Sequence, residues 1–99
     1  MMYKGLKTHY SNIDEAFQQL DNIDLDDKEK RTQIRENIIH ELQESCTEII
    51  NGINDPTNEN YKEAKTFLEC LKYGYDICLI IELRNFIYNL MDGEYKCLN

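Results

Sequence analysis

The clearest pattern in the chain begins at Lys28. Ile34, Ile38, Ile39, Leu42, Cys46, Ile49, Ile50 and Ile53 recur on a three-and-four spacing, the broad apolar stripe of an amphipathic helix. Gly52, Asn54, Asp55 and Pro56 close the stripe, so it predicts a helix of about 26 residues, roughly 39 Å long. Upstream, Ser11 stands as an N-cap with Asp14 three residues on, followed by Ile13, Ala16, Phe17 and Leu20; this spacing predicts a short helix over about residues 12–21. Residues 1–10 carry no clean period and read as an N-terminal arm. The run from Asp21 to Asp27 reads as a turn whose carboxylates meet the free N–H groups of the next helix.

Beyond Pro56, Tyr61, Ala64, Leu68, Leu71, Tyr75 and Cys78 alternate spacings of three and four, a heptad-like seam that predicts a third helix. Gly74 either ends that helix, with Asp76 as the next N-cap, or lies inside one unbroken helix. From Ile77 to Met91 apolar residues cover most of the helical circumference, so this segment is expected to be the most enclosed. Asp92 and Gly93 read as its stop, leaving residues 94–99 as a tail.

These elements predict an all-α fold, an antiparallel helical bundle of three to four helices. Its breaks fall near residues 22–26 and 52–57, with a further one where Gly74 interrupts the third helix. If Gly74 does not interrupt it, a helix of about 35 residues, near 50 Å, overhangs so small a globule and calls for a dimer. Ninety-nine residues suit a single domain, 1–99, with one core. The stripe centres nominate Ile38, Leu42, Ile49, Leu68, Leu71, Ile80, Leu83 and Ile87 for it.

Charge changes the picture more than composition does. The net charge is −8. Residues 11–60 hold thirteen acids and four bases, residues 61–99 six acids and five bases. Such a field repels nucleic-acid phosphates and steers the chain toward basic surfaces, so direct nucleic-acid binding is not expected. The longest apolar run, Ile77 to Ile81, is far too short to span a bilayer, and no signal-like segment opens the chain. Cys46, Cys70, Cys78 and Cys97 lack metal-type spacing. They read as free buried thiols of a soluble, cytoplasmic protein, and a Cys70–Cys78 disulfide would need a break between them.

Candidate chemistry is sparse. Two histidines, no glycine-rich phosphate loop and no nucleophile motif argue against an enzyme. Glu36, His40 and Glu44 share one helix face at i, i+4, i+8, but read as a solvated face rather than a metal site. Asp21, Asp24, Asp26 and Asp27 lack the central glycine and distal glutamate of a calcium loop and read as caps. Neither metal nor cofactor is therefore expected. Glu82, set among Ile80, Ile81 and Leu83, is expected to be partly buried against a basic residue, with Arg84 and Asn85 beside it as the polar end of a pocket.

The residues nominated for partner binding are Asp21, Asp24, Asp26, Asp27, Glu29, Glu36, Glu41, Glu44 and Glu48, together with Tyr73 and Tyr75 from a tyrosine cluster that also includes Tyr88 and Tyr95. In size, charge and helicity the chain resembles small acidic helical proteins that neutralise toxins or host enzymes, such as bacteriocin and nuclease immunity proteins or phage-encoded inhibitors. The resemblance implies a non-enzymatic inhibitor of a basic partner, a toxin or a nucleic-acid enzyme, and transfers no residue-level role. The alternatives are a homo-oligomeric structural or regulatory protein, with a homodimer as its simplest form, and a small-ligand-binding bundle.

Overall fold

A computed structural model describes residues 5–24, 26–74 and 76–98, with side chains as far as Met91. Four helices follow one another: α1 (Leu6–Asn22), α2 (Lys28–Ile53), α3 (Glu59–Tyr73) and α4 (Ile77–Leu98). The fold is an all-α antiparallel bundle, without strand among the described residues. None of these helices is long and apolar enough to cross a membrane.

The helix ends follow the capping chemistry of the sequence. Asp27 starts α2, its carboxylate accepting the Lys30 N–H at 3.2 Å. Asn58 starts α3 by accepting from Asn60 N at 2.8 Å and Tyr61 N at 3.4 Å. Asp76 accepts from Leu79 N at 2.9 Å at the head of α4. Asn54, left-handed at φ 49°, closes α2 with its N–H on the Ile50 carbonyl, and in the turn that follows, hydrogen bonds from the Thr57 hydroxyl and N–H hold the Asp55 carboxyl below its ordinary value. Gly74 does break the third helix: its φ of 144° is a region that residues with a Cβ rarely enter, and its N–H caps the Cys70 carbonyl.

Both ends of the chain are more helical than the pattern predicts. Instead of an arm over 1–10 and a helix capped at Ser11, α1 starts at Leu6 behind Gly5, and Ser11 is an exposed mid-helix residue. Leu6 is fully enclosed, and Leu6, Tyr10, Ile13, Phe17 and Leu20 continue one seam at spacings of four and three. At the other end α4 runs through Gly93 to Leu98, so residues 94–98 are helix and not tail. A helical glycine costs only about 1 kcal/mol against alanine, and no proline follows to enforce a stop.

The core unites Leu6 and Ile13 of α1, Ile34, Ile38, Ile39, Leu42, Cys46 and Ile49 of α2, Ala64 and Leu71 of α3, and Ile80, Leu83, Ile87 and Met91 of α4. Every residue nominated for it is buried except Leu68, which packs half-buried against its edge. The most enclosed helix is α2 rather than α4, because α2 packs against all three others while α4 lies chiefly on α1 and α2. The thiols divide as well: Cys46 is buried, Cys70 and Cys78 are exposed, and all three are free. The Cys97 side chain lies outside the described residues. Desolvation pushes the Cys46 thiol up to about 12, so it stays protonated at neutral pH.

Candidate functional site

Burying Ile34, Ile38, Leu42, Ser45 and Ile49 against the bundle turns Glu29, Glu36, His40 and Glu44 of α2 to solvent. The end of α1 adds Asp21, and the α1–α2 turn adds Asp24, Asp26 and Asp27, all exposed. The result is a band of carboxylates that climbs α2 for about 22 Å from Glu29 to Glu44, at 1.5 Å per residue. The basic residues Lys28, Arg31 and Arg35, at i, i+3, i+7, fall on another side of the helix, whereas Lys30 borders the band in the groove between α1 and α2. Within the band His40 Nε2 lies 3.8 Å from Glu44 Oε1. Among the described residues no group of three His, Cys, Asp or Glu side chains is placed to hold a metal.

Two of the nominated carboxylates lie apart from this band. Glu41 accepts from His9 Nδ1 at 2.6 Å and from Asn12 Nδ2 at 3.3 Å, which ties the first turns of α1 to the middle of α2. Glu48 is half-buried beside Gly5, where an added Cβ would stand 3.5 Å from its Oε1. Both carboxylates lie toward α1, and Glu41 ties it to α2 through His9 and Asn12. Tyr73 is 91% exposed at the end of α3, remote in sequence from the band. Tyr75 and Tyr95 lie outside the residues whose side chains are described.

Two grooves adjoin the band. Between α1 and α2 two cavities of about 460 and 240 Å³ adjoin through Gln19 and Asn37, with Gln33 at one end and Glu15 and His40 at the other. A third groove of about 670 Å³ opens at the elbow between α3 and α4, lined by Cys70, Tyr73, Asp76 and Leu79. Cys70 lines this groove and Cys78 does not, and both thiols are free despite the break at Gly74.

The expectation for Glu82 fails: it is exposed, because the buried stripe of α4 runs through Ile80, Leu83, Ile87 and Met91 and leaves position 82 to the side. The half-buried charge is Arg84. Its guanidinium pairs with Asp14 of α1 and lies over the rings of Tyr10, 5.5 Å away, and Phe17, 5.2 Å away. Its Nε is buried without a partner. The available signal for this pair was a lone arginine inside an apolar run, with an aspartate one turn from Tyr10 and Phe17. No protein family, curated protein or solved structure matches the chain.

Proposed function

We propose that this chain is a non-enzymatic, acidic binding protein of the inhibitor or immunity type, whose carboxylate band covers a basic surface on a partner protein such as a toxin or a nucleic-acid enzyme. The observation that carries the reading is the excess of exposed carboxylates on one side of α2 and the turn before it. Seven nominated carboxylates, Asp21, Asp24, Asp26, Asp27, Glu29, Glu36 and Glu44, are exposed, while Lys28, Arg31 and Arg35 fall on another side and Lys30 alone of the α2 bases borders the adjoining groove. A predominantly acidic surface of this kind raises association rates with a basic surface and rejects like-charged competitors. The amides of Gln19, Gln33 and Asn37 in the adjoining groove supply donors and acceptors for the rim of such an interface. The two exposed thiols suit a reducing compartment such as the cytoplasm.

The reading is tested by co-expressing the chain with the product of the adjacent gene and following association across ionic strength. Reversing Asp24, Asp26, Asp27 and Glu29 to lysine changes the net charge from −8 to 0. The association rate is expected to fall by about tenfold or more at low salt, with the dissociation rate changed less. A complex whose association is indifferent both to salt and to these reversals overturns the electrostatic reading.

A further inference from the structure

The groove between α1 and α2 carries a chemistry that differs from that of the carboxylate band beside it. Glu15, Gln19 and Asn22 of α1 stand at i, i+4, i+7 along one wall, and Lys30, Gln33 and Asn37 of α2 at i, i+3, i+7 along the other. The floor between them is Ala16, Ile23 and Ile34. At one end Asn12 crosses to Glu41 at 3.3 Å and ties the two walls. Nearer the turn, among the described residues, the carboxamides of Gln19, Asn22, Gln33 and Asn37 make no side-chain hydrogen bond, and all four are exposed. The two ends of the groove also differ in sign, with Lys30 toward the turn and Glu15 at the far end.

We infer that this groove binds an extended segment of the partner's chain, four or five residues long, with a lysine or arginine of that segment at Glu15. The inference rests on the reading that the partner is basic. Each carboxamide offers two donors and an acceptor, and these match the N–H and C=O groups that an extended chain leaves unpaired. A helix in the groove has already paired its backbone, so it would strip water from the four amides and return few hydrogen bonds. Length agrees as well: Lys30 to His40 spans about 15 Å at 1.5 Å per residue, which an extended chain covers in about four to five residues. Charge sets the position of the basic side chain, because Glu15 and the neighbouring band attract it and Lys30 repels it at the turn end. The band then steers the partner in, and the neutral bonds of the groove slow its release.

The test is a titration of the isotope-labelled full chain with a pentapeptide, one arginine followed by alternating serine and alanine, blocked at both ends. The side-chain amide resonances of Gln19, Gln33 and Asn37 should shift and saturate with a dissociation constant of about 1 mM, and the bound peptide should show the transferred NOEs of an extended chain. Gln19→Ala with Gln33→Ala should weaken binding about fivefold or more; both positions are exposed on helices and alanine favours helix, so circular dichroism should be retained. Glu15→Gln should weaken the arginine peptide about threefold and leave a peptide with serine in place of arginine unchanged. In the partner complex the paired amide substitutions should speed dissociation and leave association unchanged, the reverse of the charge reversals in the turn. A complex that responds to those reversals but not to the amide substitutions overturns the groove and spares the acidic band. Groove resonances that stay still up to about 10 mM peptide, shifts that free arginine reproduces, a helical bound peptide, or an affinity indifferent to the amide substitutions would each overturn it too.

Discussion

Helices α2 and α4 are both rich in isoleucine and leucine, yet the bundle treats them differently. In α2 every stripe residue from Ile34 to Ile49 is enclosed, and the only buried polar side chain there, Ser45, donates to the Glu41 carbonyl at 2.8 Å. In α4 apolar residues surround the helix, but Ile77, Ile81 and Tyr88 stand in solvent. The difference is one of neighbours: α2 sits among three helices and α4 is laid along the edge of two. An apolar pattern states what a helix can bury, and the fold decides how much of it is buried. The sharpest way to break this comparison is truncation. Leu42→Ala in α2 and Leu83→Ala in α4, both fully enclosed, should each cost about 2–5 kcal/mol. Ile81→Ala should cost under about 0.5 kcal/mol in the monomer. Thermal or urea melts check this, and comparable losses at Leu42 and Ile81 would mean that α4 is as enclosed as α2.

The thiols extend the contrast to pH. Burial raises the Cys46 thiol to about 12, above its value in an unfolded chain of about 8.5. Its contribution to stability is therefore complete below pH 8.5 and is lost as pH climbs toward 12. At pH 11 the loss should be about 3 kcal/mol. Cys46→Ala should flatten the alkaline limb of the stability curve relative to the unmodified protein, whatever its cost at neutral pH. Native alkylation should label Cys70 and Cys78 and spare Cys46; rapid labelling of Cys46 would contradict the enclosure of α2.

Where α1 meets α4, the pair of Arg84 and Asp14 ties the two helices by an ion pair. Arg84→Ala removes the stacking on Tyr10 and Phe17 together with the ion pair. Both charges are half-exposed, so the expected cost is only about 1–2 kcal/mol. A double-mutant cycle with Asp14→Asn reads the coupling. Zero coupling would leave stacking as the whole contribution of Arg84.

These examples also show which parts of the fold were legible in the sequence. The stripe of α2 and the caps Asp27 and Asp76 were readable because each is local, with partners three or four residues away. The true start of α1 was obscured by a plausible cap at Ser11, although the spacing of Leu6, Tyr10 and Ile13 pointed further back. The His9–Glu41 and Arg84–Asp14 contacts join residues 32 and 70 positions apart, and no periodicity reports a partner at that distance. For the same reason the acidic nominations divided only in the fold, with Glu41 and Glu48 turned inward and the rest left outside.

The smallest expected effect separates the two histidines, each of which lies beside a glutamate. His9 and Glu41 have side chains 20% and 22% exposed and meet at 2.6 Å, whereas His40 and Glu44 are 68% and 50% exposed and 3.8 Å apart. An exposed i, i+4 pair contributes about 0.3–0.5 kcal/mol at most, and an enclosed hydrogen bond to a charged group about 1.5–3 kcal/mol. His40→Ala should therefore leave the melting midpoint nearly unchanged, while His9→Ala should lower it clearly, because it leaves the half-buried Glu41 with only the longer contact from Asn12. The carboxylate band should keep its affinity for a basic partner in both variants, since neither substitution alters the exposed acids. Equal destabilisation by the two substitutions would show that Glu41 is as solvated as Glu44, and would return Glu41 to the binding surface.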